Sequence, residues 1–239
     1  MTSPSYVSVL MSGGFAGAYD RLLPEFERSS GIKVTTGSGA SQGNGPHTIA
    51  AQLARGVPAD VVIMSREGLA ELVAANRIAA GTIADLARVP LGVAVRAGSA
   101  KPDVSTVDAF RQALLNAGTI AVPGSTSGIW LQAELFPRLG VAQKIKVAMT
   151  PRGSDASGMV AAGDADLAVM PVSEIMAARG VDLAGILATE IQMVQVFAAA
   201  IVAGSHAVEA SRRLIAFLAS PRAAETIGRS GMDPVATAR

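Results

Sequence analysis

Cysteine is absent from these 239 residues. That excludes disulfides, thiolate metal sites and a cysteine nucleophile, and it leaves the redox compartment open. Aromatic residues make up only 4% of the chain, and Trp130 is the sole tryptophan. Both a sugar site paved with rings and a base-stacking nucleic-acid platform are therefore disfavoured. The two histidines, His47 and His206, are far apart and lack metal-ligand spacing, so the reading includes no metal and no cofactor. An excess of one charge is missing too. Twenty Lys+Arg against 19 Asp+Glu leave +1, without the basic surplus of a phosphate-backbone binder or the polybasic cluster of a membrane anchor. The longest apolar run, near 196–203, falls far short of the roughly 20 residues that span a bilayer. The first residues have no positively charged leader region. The expected location is periplasmic if a leader was removed, and cytoplasmic otherwise.

Apolar material is plentiful: half of the residues are hydrophobic and 16% are charged, enough for a sizeable core. The order of patterns is regular. A short buried strand over 6–11 ends in Ser12-Gly13-Gly14, and a helix over 15–29 follows, closed by Gly31. A strand over 32–36 leads to a Gly/Ser-rich loop over 37–46, then a helix over 47–55, a strand over 59–64 and a helix over 67–76. This alternation predicts a mostly parallel sheet covered on both faces.

The pattern then resumes with strands at 90–96, 119–122, 144–149 and 167–172, and helices at 106–115, 129–139 and 154–162. Residues 191–202 read as a long strand returning to the first unit, with helices at 207–219 and 223–230 after it. The expected fold class is α/β, with two Rossmann-like domains joined by two crossing segments at 89–91 and 191–195. Residues 1–88 plus 193–239 form the first domain, and 89–192 the inserted second one.

Several loops share one physics, since each follows a strand and opens a helix. They are Ser12-Gly13-Gly14, Gly39–Gly43 with Ser41, and Ser125–Gly128 with Thr126 and Ser127, and more weakly Arg152-Gly153-Ser154. Ligands of open α/β sheets bind at strand C-terminal ends. Helix N-termini offer unpaired N–H groups and a positive dipole end. Glycine admits close approach, and Ser or Thr adds a hydroxyl. Such ends make an anion site without fixed cations, although each loop taken singly is also ordinary cap and turn chemistry. Arg66 follows the 59–64 strand and could clamp a carboxylate. Arg152 invites the same reading, and both also fit solvated first-turn residues. His47 reads first as a capping or surface residue, Asp60 as a structural turn ligand, and Asp155 and Glu174 as helix-terminus charges.

The sequence resembles the type 2 periplasmic substrate-binding proteins, above all their molybdate-binding branch. The resemblance is carried by VSVLMSGGFAGAYDRLLPEFERSSGIKV, GASQG, LARGVPADVVIMS, GSTSG and VAAGDADLAVMP, and it spans nearly the whole chain. It implies two domains with a cleft between them. By position it implies anion ligation by Ser12, Gly13, Gly14, Ser41, Thr126, Ser127 and the Gly153 backbone. The family's last ligand is a tyrosine where this chain has Pro171, which has neither hydroxyl nor N–H. That departure points away from molybdate and toward a larger or carboxylated anion.

Two functions follow as expectations. The favoured one is a monomeric solute-binding protein that closes over a small anion for a membrane ABC-type permease, with no catalytic residue and no nucleic-acid partner. The other is an isomerase on the same scaffold, because some proteins of this branch resemble aconitate isomerase, which moves a proton in a tricarboxylate. There Arg66 or Arg152 and the Ser/Gly loops would hold carboxylates, and His47 or a hydroxyl would carry the proton.

Overall fold

The apolar run Tyr6–Met11 forms strand β1, and helix α1 (Gly13–Ser30) buries Phe15, Ala18, Tyr19, Leu22 and Phe26 along one stripe. Gly31 ends the helix at φ 72°, the left-handed conformation a glycine cap supplies, and its N–H bonds the carbonyl of Glu27. The computed structural model that shows this describes residues 6–235. Along the chain follow β2 (Lys33–Ser38), α2 (Ile49–Ala54), β3 (Val61–Ser65), α3 (Arg66–Ala74), β4 (Ala84–Arg96), α4 (Val107–Asn116) and β5 (Ile120–Pro123). Then α5 (Thr126–Trp130) runs through a π-helical turn, Leu131–Leu135, into α6 (Phe136–Arg138). After it come β6 (Val147–Thr150), α7 (Gly153–Ala162), β7 (Leu167–Pro171), α8 (Val172–Ala177) and β8 (Val181–Ile186). The chain closes with β9 (Val194–Ile201), α9 (Val208–Leu218), α10 (Pro221–Arg229) and β10 (Asp233–Pro234).

The chain divides into two units, one holding residues up to Arg88 and from Val196 onward, the other Val89–Gln195. In the first unit β1 lies between β2 and β3, parallel to both. Strand β9 joins β3 antiparallel, Val61 opposite Ile201, and β10 pairs with the start of β4. One core of this unit packs Leu10, Ile49, Leu53, Val62, Met64, Leu69 and Leu72 against Ala198 and Ala200. Phe26 of α1 meets Phe217 of α9 at 5.5 Å between ring centroids, a tilted pair of the kind aromatic quadrupoles favour.

In the second unit β4 lies between β8 and β7, antiparallel to each, and β5 joins β7 and β6 in parallel. One face buries Phe110, Leu114, Leu131, Leu135 and Phe136, and the other Ala156, Val160, Met170 and Ile175. Hydroxyl caps set three helix starts: Thr48 accepts from Ala51 N–H, Ser65 from Gly68 N–H and Thr106 from Ala109 N–H.

Four features depart from the sequence expectation. The helix expected from residue 129 begins at Thr126, so the GSTSG loop is largely a helical first turn. Strand β4 runs from Ala84, not 90, because its early part pairs with β10. Strand β8 was not foreseen, and helix α8 was expected only through the reading of Glu174 as a helix-terminus charge. The segment Val181–Ile186 carries Asp182 and Gly185, which mask a strand pattern, yet β4 supplies the ladder that makes it one. The sheets are more mixed than expected, since β8 and β9 enter antiparallel and β4 pairs antiparallel with β7.

Candidate functional site

Hydrogen bonds gather three strand ends in the first unit. Ser12 N–H donates to Ile63 O at 2.9 Å, and Gly39 N–H donates to Met11 O at 2.9 Å. Ser65 N–H donates to the Ser41 hydroxyl at 2.9 Å. The loops after β1, β2 and β3 are thereby pinned at one edge, and Ser12, Ser41 and the start of α3 belong to one cluster.

Ser12 is the N-cap of the 18-residue helix α1 but makes no side-chain cap bond. It is 5% exposed, and its hydroxyl has no hydrogen-bond partner among the described residues. A buried hydroxyl without a partner is costly, which makes it a feature that needs a reason. Gly13 opens the helix beside it, where N–H groups have no acceptor within the helix. Gly14 is required by packing: a Cβ there would overlap the Phe197 ring, which roofs the first turn. Ser41 is also buried, and its hydroxyl accepts from Ser65 N–H, which leaves its own proton to donate.

The Gly/Ser-rich loop is held by its backbone. Ala40 N–H bonds His47 O, and the Gln52 amide bonds Ser38 O and His47 O. His47 thus anchors the loop through its carbonyl, while the residue itself is exposed. The Arg66 guanidinium forks onto Asp85, with Nε on Oδ1 and Nη2 on Oδ2. Its charge is already matched within the unit. Asp60 does what a turn ligand should, taking the N–H and hydroxyl of Ser8 and the hydroxyl of Ser205. Burial works against its charge, but these donors outweigh it and hold the carboxyl below its usual range.

The second unit joins two strand ends, those of β5 and β6, in the same way. Gly124 N–H donates to Thr150 O at 2.6 Å, and the Thr150 hydroxyl donates to Arg152 O at 2.8 Å. Thr126 and Ser127, in the first turn of α5, are each 3% exposed. Gly153 is the first residue of α7. Arg152, before it, is turned onto Asp155 of the same turn by two hydrogen bonds. In both units, then, the arginines near the loops are matched by carboxylates, and the remaining donors are hydroxyls and helix N–H groups.

Sequence reasoning undervalued Glu174. It does stand in the first turn of α8, as a helix-terminus charge would. Its carboxyl, however, reaches back over Gly153, where a Cβ would overlap Oε2. Burial pushes this carboxyl up to about 7. The signal available in the sequence was position: an acidic residue three places after the last residue of a ligand-side strand. Among the described residues no group of three or more Asp, Glu or His could hold a metal ion, and no helix is long and apolar enough to cross a membrane.

Known proteins share this architecture. Aconitate isomerase of Pseudomonas sp. is 37% identical to this chain over 231 residues, spanning 96% of this chain and 88% of that protein. The sulfate-binding protein SubI from Mycobacterium tuberculosis H37Rv superposes with a TM-score of 0.73 at 21% identity, over 97% of this chain and 87% of that one. The periplasmic molybdate-binding protein of Azotobacter vinelandii superposes with a TM-score of 0.69 at 19% identity, over 95% and 98%. At those identities the solved structures establish the fold, that of type 2 periplasmic binding proteins. The model of the bacterial extracellular solute-binding protein family matches residues 7–233. This chain is therefore a member of the bacterial extracellular solute-binding protein family.

Proposed function

We propose that this protein binds a small unsaturated polycarboxylate, aconitate being the first candidate, and isomerises it by moving a proton. The observation that carries the reading is the 37% identity to an aconitate isomerase across 96% of the chain. The loops suit the ligand class. Ser12, Gly13, Ser41, Thr126, Ser127 and the Gly153 backbone offer dipolar donors that stabilise spread negative charge without fixed cations. Pro171 stands where the resemblance places an oxyanion-holding tyrosine, which favours carboxylates over molybdate.

A second reading is carriage of the anion to an ABC-type permease. The family match over residues 7–233 favours it. The same donors would serve, and no chemistry would follow.

The test is a thermal-shift panel followed by turnover. The panel sets molybdate, tungstate, sulfate and phosphate against cis-aconitate, trans-aconitate and citrate. A ligand at about 100 times its Kd adds roughly 2.7 kcal/mol, and each kcal/mol moves the midpoint of a domain this size by about 2–4 °C. Shifts with tricarboxylates and conversion of cis- to trans-aconitate support the isomerase. Shifts with tricarboxylates without conversion leave carriage as the function. Shifts with tetrahedral oxyanions alone overturn the polycarboxylate reading.

A further inference from the structure

Glu174 carries a second, finer assignment, which rests on the isomerase reading above. Its carboxyl lies against the backbone of Gly153, where α7 begins. Gly124 N–H, after β5, donates to the carbonyl of Thr150 at the end of β6, and this bond places that helix start beside the turn leading to Thr126 and Ser127. The residue is thus set among the donors of the second unit and not out along a helix face. Asp155, the other acid near this turn, is held by Arg152. Asp182, on the neighbouring β8, accepts from Gly98 N–H. Burial is what perturbs Glu174, and no donor or cation among the described residues offsets it. Its proton is not committed to a structural bond.

We propose that Glu174 is the catalytic base and acid of an allylic proton transfer on the bound polycarboxylate. The Glu174 carboxylate takes a proton from the methylene carbon next to one ligand carboxylate. The C–H electron pair becomes the new C=C π bond. The π pair of the old double bond shifts to the far carbon and takes the proton back from Glu174. One C–H bond breaks and one forms, the double bond moves by one carbon, and no oxidant, reductant or metal takes part. Negative charge that builds on the ligand's carboxylates during the transfer meets the hydroxyl and N–H donors of the surrounding loops. A carboxyl poised near neutrality can perform both halves, since an efficient acid–base group ionises close to the working pH. Glu174 gives this proton a defined carrier, in place of the exposed His47 or a loop hydroxyl.

The experiment compares wild type with Glu174→Gln and Glu174→Asp. It reads three quantities: cis-to-trans conversion, deuterium entry into recovered aconitate in heavy water, and Kd for trans-aconitate by calorimetry. Loss of a general acid–base group typically removes about 10²–10⁴-fold in rate. We expect E174Q to lose at least a hundredfold in kcat and to lose deuterium entry, while Kd stays within about threefold. Glu174→Asp keeps a carboxyl but withdraws it by one methylene, and should retain a measurable fraction of the rate. If E174Q converts aconitate at more than a tenth of the wild-type rate, the assignment is overturned and the isomerase reading stands. If wild type itself converts nothing, the isomerase reading falls and the assignment falls with it. Should E174Q fail to fold, an unchanged kcat in E174D overturns the assignment and a lowered kcat with unchanged Kd supports it.

Discussion

Removing the Ser12 hydroxyl should strengthen the fold and weaken the site. The hydroxyl is buried, caps nothing and finds no partner among the described residues. Leaving a polar group in that state costs about 1–3 kcal/mol. Ser12→Ala deletes the group and fills nothing new, so unfolding should be harder by about that amount. For a domain of this size the midpoint should rise by roughly 2–4 °C per kcal/mol. Against a carboxylate ligand the same hydroxyl would make a charge-assisted hydrogen bond worth about 1.5–3 kcal/mol. Its loss should weaken binding by roughly 10–150-fold, at 1.4 kcal/mol per factor of ten. The assay pairs a thermal melt of the ligand-free protein with calorimetric titration of trans-aconitate. Opposite signs in the two measurements are the signature of a group kept for a ligand. A variant that melts lower and binds normally would refute the reasoning and make Ser12 an ordinary structural serine.

Other outcomes follow from charge and packing. Glu174 is raised from 4.5 to about 7 in the fold, so its neutral form stabilises the protein below the unfolded value, and that contribution is lost as pH rises through 7. At about 1.36 kcal/mol per unit, E174Q should gain on wild type by at most about 3 kcal/mol between pH 4.5 and 7, and parallel stability–pH curves would contradict this. Asp60 is shifted the other way, because the donors from Ser8 and Ser205 outweigh the burial that opposes its charge. Its contribution is present above the ordinary carboxylate range and lost in acid. Asp60→Asn should therefore cost about 1.5–3 kcal/mol at pH 7, a gap that closes in melts below about pH 4. Arg66→Ala should change stability by less than about 1 kcal/mol, since its pair with Asp85 is exposed. It should leave trans-aconitate affinity within about threefold because the guanidinium fork is already occupied, and a tenfold loss would show that Arg66 leaves Asp85 for the ligand.

Alternation of strand and helix patterns was the legible part of the fold. Leu22 and Phe26 at helical spacing, and the Gly31 cap, identify α1 without any structure. What escaped were elements whose reason lies in distant residues. Strand β8 exists because Gly92–Arg96 offers it a ladder, and nothing within VDLAGI announces that. The first turn of α5 hides in GSTSG because Gly, Ser and Thr are poor helix formers, and tertiary packing overrides propensity there. The site divides in the same manner. Local chemistry picked out Ser12, Ser41 and Thr126 as hydroxyls at strand ends. The pairing of Arg66 with Asp85, 19 residues on, and the reach of Glu174 back to Gly153 depend on chain paths that no local pattern encodes.

Strand β9 carries a consequence for synthesis. It completes the sheet of the first unit against β3, with Val61 opposite Ile201, yet it is made only after all of the second unit. A ribosome therefore releases Val89–Gln195 while β3 still lacks that neighbour. The inserted unit can condense first, and the outer unit must wait with an open β3 edge of Val61–Ser65, a strand buried in the finished fold. Such an edge invites wrong pairing. A nascent chain stalled before residue 194 should be the aggregation-prone species, and chaperone engagement should peak there and vanish once Ala198–Ile201 has emerged.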